Sequence, residues 1–109
     1  MKCKLLGIMG IVVAILSLAT AAEPNLSAGK ELFQMCAACH GQAGEGNQSL
    51  NAPANAGQSK WYTEQQLNNF RAGIRGSHPQ DRFGSQMIPM AAMLKDSQAV
   101  EDIASFIDT

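Results

Sequence analysis

The chain has 109 residues, room for one small domain and not two. Eight basic and nine acidic side chains leave a formal charge of −1, and only 16% of residues are charged, which excludes a nucleic-acid binder built on a basic face. At 46% apolar, with four prolines and ten glycines, the sequence is neither disordered by composition nor of low complexity.

The first segment is a positive start, Lys2 and Lys4, followed by an uncharged run from Leu5 to Ala22. The run ends in the small residues Ala19-Thr20-Ala21-Ala22, and Glu23-Pro24 follow. This three-part pattern predicts a secretory signal peptide over 1–22, cut after Ala21 or Ala22, and a mature domain over 23–109. An uncleaved membrane anchor is the alternative, for which the run is at the lower limit of length. Processing removes Lys2, Lys4 and Cys3, leaving a more acidic chain with two cysteines, Cys36 and Cys39. Cys3 precedes the apolar run and is not placed as a lipidated cysteine would be. The destination is an oxidising compartment, the periplasm in a Gram-negative host. A domain of this size buries about 60–65% of the surface its unfolded chain exposes, so a disulfide, metal or cofactor is expected to staple it.

The spacing predicts a first helix over Ser27–Cys39, capped by Ser27 or Asn25, with Leu32, Phe33 and Cys36 on one side. Residues 41–58, rich in Gly, Asn, Ala and Pro, show no period and read as an extended loop that wraps something. A second helix falls between Ser59 and Gly73; Ser59 is one candidate cap, and Thr63 with Gln66 fits a capping box. Its apolar face carries Leu67, Phe70 and Ile74, and Gly73 is its stop. A polar loop covers Ile74–Met87. The last helix runs over Ser97–Ile107 from the cap Asp96, with Val100, Ile103 and Ile107 inward and Ala104 and Phe106 widening that face. No strand-like alternation of useful length is present, so the fold class is all-α.

Residues 36–40 read Cys-Ala-Ala-Cys-His. C-x-x-C-H is the attachment pattern of c-type haem. On a helical turn, positions i and i+3 project to the same side, so two thiols can reach two vinyl groups along one haem edge. The next histidine then turns its imidazole to the iron. Three other readings compete: a thioredoxin-like redox pair, which needs a βαβ pattern; a structural disulfide, which would constrain little chain; and half a zinc site, which lacks a second ligand pair. Cofactor attachment is the specific one, and it answers the size problem by putting haem at the centre of the core.

His40 takes one axial position of the iron. The second can hold Met or His, hold water, or stay open. Met35 adjoins Cys36 on the His40 side. Pro89 disfavours helical geometry at Ile88, which leaves Met87 in irregular chain able to present its sulfur, and Pro89 then opens a short helix carrying Met90, Met93 and Leu94. Met87 is therefore the expected ligand, with Met90 and His78 as alternatives. His78 precedes Pro79 in a polar loop, as a solvated histidine would. Two strong protein ligands leave no place for a substrate, and a neutral thioether raises the potential, which describes an electron carrier and not an enzyme.

The segments 28–47, 51–75 and 87–107 resemble class I c-type cytochromes of the bacterial type, single-haem cytochrome c553-like proteins and one half of the di-haem cytochrome c4 proteins. The resemblance implies a small α-helical cytochrome c fold around one covalently bound haem c. Its terminal helices would cross at Gly29 and Phe33 against Ala104 and Phe106. It implies Cys36 and Cys39 as the thioether residues, His40 and Met87 as axial iron ligands, and a backbone carbonyl at Pro53 that orients His40. Two positions depart from the family pattern: Asn55 replaces a leucine, and Lys95 replaces the serine cap, so that Asp96 must cap. Trp61, Tyr62, Arg71 and Arg75 are candidates for the haem propionates, against ordinary packing and solvation. Glu45, Glu64, Asp81, Glu101 and Asp102 read as ordinary surface. The implied function is a soluble periplasmic single-haem carrier. It would take one electron from a donor such as a quinol-oxidising complex or dehydrogenase and pass it to an oxidase or reductase, with no nucleic acid and no stable membrane insertion. A haem-based ligand sensor or peroxidase-like enzyme, with Met87 displaceable, is the alternative from another class.

Overall fold

Asn25 caps the first described helix. Its extended backbone and its side-chain oxygen, which accepts from the Ala28 N–H at 3.0 Å, start the first helix. The computed structural model describes Ala14 and residues 22–109. The predicted export signal therefore lies outside the described residues, apart from those two alanines. The elements are α1 (Leu26–His40), α2 (Lys60–Arg71), α3 (Met87–Ala92) and α4 (Ser97–Ile107), with one-turn 3₁₀ helices at Gln48–Leu50 and Gly84–Gln86. Among the described residues the only β-pairing is an isolated bridge between Asn47 and Ala52. The expected all-α class holds.

The ends of α1 and α4 form for local reasons. Gly41, at φ +88°, lets the chain leave α1 directly after His40. Asp96 accepts from the Ala99 N–H at 2.9 Å and starts α4 at the predicted residue. Ser59 caps α2, so the Thr63–Gln66 box is not used, and Thr63 is buried inside the helix instead. Gly73, at φ +69°, follows the end of α2 as expected.

α1 and α4 cross at Gly29. A Cβ there would run into the backbone carbonyl of Asp102 and lie 2.9 Å from the Phe106 Cβ, so only glycine lets the backbones approach this closely. Beside the crossing, the rings of Phe33 and Phe106 meet at 5.6 Å between centroids and 54° between planes. Phe33, Ala37, Leu94, Ala99, Val100, Ile103 and Ile107 form the buried core. Asp102, read from the sequence as surface, is buried. Its Oδ1 accepts from the Asn25 N–H at 2.7 Å and from Gln98 Nε2 at 2.8 Å, which ties the entry to α1 onto α4. A solvent-facing acid and this one look alike in a single sequence, because the partner is a backbone N–H 77 residues away. Lys60 Nζ reaches Glu101 at 2.7 Å and Glu64 at 3.6 Å, linking α2 to α4; the Glu101 hydrogen bond holds the ammonium pKa above its usual value.

Candidate haem site

The end of α1 sets the chemistry. Cys36 is half-buried and Cys39 exposed, one turn apart and not joined to each other by a disulfide. Burial, and then the neighbouring Cys39, push the Cys36 thiol up to about 11. A thioredoxin-like nucleophile needs the opposite shift. The zinc reading also loses ground, since among the described residues no three His, Cys, Asp or Glu side chains converge.

His40 is buried at the last position of α1. Its Nδ1 lies 2.7 Å from the Pro53 carbonyl oxygen. A carbonyl only accepts, so Nδ1 carries the proton and Nε2 keeps its lone pair. The loop that supplies Pro53 is itself braced. Gly46 N–H donates to the His40 carbonyl at 2.7 Å, and the Asn55 and Ala56 N–H groups both donate to the Gly44 carbonyl, at 2.9 and 3.0 Å. Asn47 and Ala52 exchange backbone hydrogen bonds at 2.8 and 3.0 Å. Residues 41–58 thus wrap back onto His40, as the loop's composition suggested, with one 3₁₀ turn that the sequence reading missed.

Cys36, Cys39, His40 and Met87 all line one cavity of about 540 Å³, within the range of cofactor sites. Pro53, Tyr62, Phe70, Met90, Ile103 and Ile107 are also in its wall. The route by which Met87 arrives differs from the expectation. Met87 has helical angles, φ −78° and ψ −20°, and begins α3; Ile88 is helical rather than extended, and Pro89 is the third residue of the helix, not the first. In the first turn a proline has no N–H to satisfy, so packing of α3 overrides the local preference of the residue before it. Met87 and Met90 therefore share one short helix and one cavity, as does Met35 from α1. His78 is exposed, and its Nδ1 accepts from the Gln80 N–H at 3.2 Å.

The wall fits a haem-sized group in its polar detail as well. Thr63 Oγ1, buried and without a partner, is the donor this wall offers to a polar edge of the ligand. Arg75 reaches the same cavity while stacked on Phe70 at 4.7 Å and donating to Gln66 Oε1 at 2.7 Å. Tyr62 lines it too, whereas Trp61 is 67% exposed and Arg71 bonds Asn68 at the surface. Asp81, also read from the sequence as surface, is half-buried in the wall and accepts from the Gly84 N–H at 2.8 Å. Its signal was available as an Asp three residues before a glycine at a turn start.

A helical C-x-x-C-H turn whose histidine is fixed by a backbone carbonyl, set in a cavity walled by all four helices and their loops, in a fold whose α1 and α4 cross at a glycine, defines a class I c-type cytochrome. The comparisons agree: a sequence model of the cytochrome c family matches residues 26–109, and the chain belongs to that family. It is 32% identical over 90 residues to cytochrome c4 of Stutzerimonas stutzeri, covering 81% of this chain and 42% of that protein. The crystal structure of reduced recombinant cytochrome c4 from Pseudomonas stutzeri superposes with a TM-score of 0.63 at 31% identity, over 76% of this chain and 46% of that one. The chain thus spans about half the length of these relatives. Family membership brings one covalently bound haem c with its iron, and the C-x-x-C-H spacing of this chain matches it.

Proposed function

We propose that this chain is a single-haem electron carrier that works outside the cytoplasm. In this reading Cys36 and Cys39 hold the haem through thioethers, and His40 and Met87 are its axial ligands. The observation that carries the reading is the convergence of these four residues on one cavity, with Nδ1 of His40 committed to Pro53. The haem supplies a one-electron couple. The protein's part is to hold the imidazole in one tautomer, to keep a thioether in the second axial place, and to exclude water with Phe70, Ile103 and Ile107. Ligands held this firmly let the charge change with little rearrangement and leave no open position for substrate.

Residues 1–22 are read as a cleaved export signal that delivers the domain to the periplasm. Just past the predicted cut after Ala21 or Ala22 the chain is tied to α4: the Glu23 carbonyl accepts from Gln98 Nε2 at 3.4 Å, and the Asn25 N–H donates to Asp102. Redox proteins are the partners, a quinol-oxidising complex or dehydrogenase on the donor side and an oxidase or reductase on the acceptor side.

The test is an optical spectrum of the protein produced with c-type haem maturation. Covalent haem and the weak near-infrared band of methionine sulfur on ferric iron are expected. Met87→Ala should abolish that band and open the site to added ligands, while Met90→Ala should keep it. Covalent haem without the band in the wild type sinks the His–Met reading and favours a sensor or peroxidase-like enzyme.

A further inference from the structure

We propose that Asp81 is the positioning residue for the axial methionine, locking the 3₁₀ turn Gly84–Gln86 so that Met87 is held at the cavity; this rests on the reading of Met87 as an iron ligand. Asp81 is half-buried in the cavity wall, six residues before Met87. Three hydrogen bonds fix it. Its N–H donates to the His78 carbonyl at 2.9 Å, its carbonyl accepts from the Ser85 N–H at 3.0 Å, and its Oδ1 accepts from the Gly84 N–H at 2.8 Å. The next bond continues the chain: the Met87 N–H donates to the carbonyls of Gly84 and Ser85. The carboxylate of Asp81 is thus connected to the backbone of Met87 through one residue, Gly84.

Gly84 is closed in from two sides. A Cβ on Gly84 would run into the Asp81 carboxylate. A Cβ on Gly76, itself buried at φ +86°, would come within 2.6 Å of the Gly84 carbonyl oxygen. The turn has one packed arrangement, set by a carboxylate on one face and a glycine backbone on the other. α3 is only Met87–Ala92, too short to hold its own first turn in water, and Phe83, the residue before the 3₁₀ turn, gives that turn no side-chain cap. Asp81 supplies that missing acceptor. Remove it and the buried Gly84 N–H has no partner, a loss comparable to a hydrogen bond to a charged group.

The experiment compares ferric wild type, Asp81→Ala, Asp81→Asn and Gly84→Ala, all carrying covalent haem. The readouts are the near-infrared sulfur band and the affinity for added imidazole, which competes with the methionine for iron. Asp81→Ala should weaken the band and bind imidazole roughly tenfold more tightly, the factor corresponding to about 1.4 kcal/mol of lost ligand restraint. Asp81→Asn keeps an oxygen acceptor and should stay near wild type. Gly84→Ala displaces the carboxylate and should behave like Asp81→Ala, and it serves if Asp81→Ala does not fold. Unchanged imidazole affinity in both disruptive variants overturns the proposal, and so does an Asp81→Asn effect as large as that of alanine. A wild type without the band, or a Met87→Ala variant that keeps it, fails the ligand reading itself, and the proposal falls with it.

Discussion

Asn55 is the residue whose chemistry fits its place least well. Its side-chain oxygen is buried without a hydrogen-bond partner, and a Cβ on Gly44 would come within 2.6 Å of it. A haem carboxylate cannot satisfy it, because both are acceptors, whereas Thr63 Oγ1 can donate to one. An unpaired buried acceptor costs about 1–3 kcal/mol, and an apolar group of similar shape removes that cost. Asn55→Leu should therefore stabilise the haem-loaded protein by about 1 kcal/mol, read from denaturant unfolding at constant slope. A loss of stability instead would mean that the oxygen has a partner in the loaded protein. The same residue marks what one sequence conveys. Asn55 stood out as a departure from the family pattern, but its neighbours Gly44 and Pro53 come from a fold-back of residues 41–58 that shows no periodicity. The C-x-x-C-H turn and Asp96 were legible because their partners lie within three or four residues. Asp102 was not, since its backbone partner lies 77 residues away, whereas Asp81, whose partner Gly84 is three residues on, carried a local signal that was passed over.

At the scale of elements, the contact of α1 with α4 is set by Gly29 rather than by the larger apolar residues around it. Two effects of Gly29→Ala oppose each other. Alanine is favoured over glycine within a helix by about 0.8–1.0 kcal/mol. Its methyl, however, would meet the backbone of Asp102 and the Cβ of Phe106, neither of which can rotate away. Overpacking of this kind costs typically about 1–3 kcal/mol, more here because one neighbour is main chain. The clash wins: Gly29→Ala should lower stability by about 1–2 kcal/mol net and widen the distance between Phe33 and Phe106. Thermal unfolding of the loaded protein checks it; a higher midpoint would show that the helices can slide apart at no cost. Helix ends with local caps, α1 and α4, were readable to within a residue or two. α3 was not, because the preference of Ile88 before Pro89 is a local bias that tertiary packing of a short helix reverses.

For the whole molecule, the question is whether this chain folds without its cofactor. Among the described residues the buried apolar side chains are few: Phe33, Phe70, Leu94, Val100, Ile103 and Ile107, with Ala37, Ala91, Ala99 and Ala104 adding little area each. Most of them belong to the α1–α4 crossing. α2, α3 and the fold-back loop instead present Pro53, Leu67, Phe70, Met87 and Met90 to the cavity. Of these only Phe70 is already buried; Pro53, Leu67, Met87 and Met90 reach full burial only against a bound apolar ring, so the ligand completes the core and its binding stabilises the folded state. Conformational entropy of about 1–2 kcal/mol per ordered residue opposes folding throughout, and a core this thin cannot offset it alone. Cys36→Ala with Cys39→Ala, made in cells without haem maturation, should lose most of the helical circular dichroism and the cooperative thermal transition. If any structure survives, it should be the α1–α4 pair, whose crossing at Gly29 and Phe33–Phe106 contact do not depend on the ligand. A variant that keeps full helicity and unfolds cooperatively would show that the four helices close on their own, with haem attachment added to a finished fold.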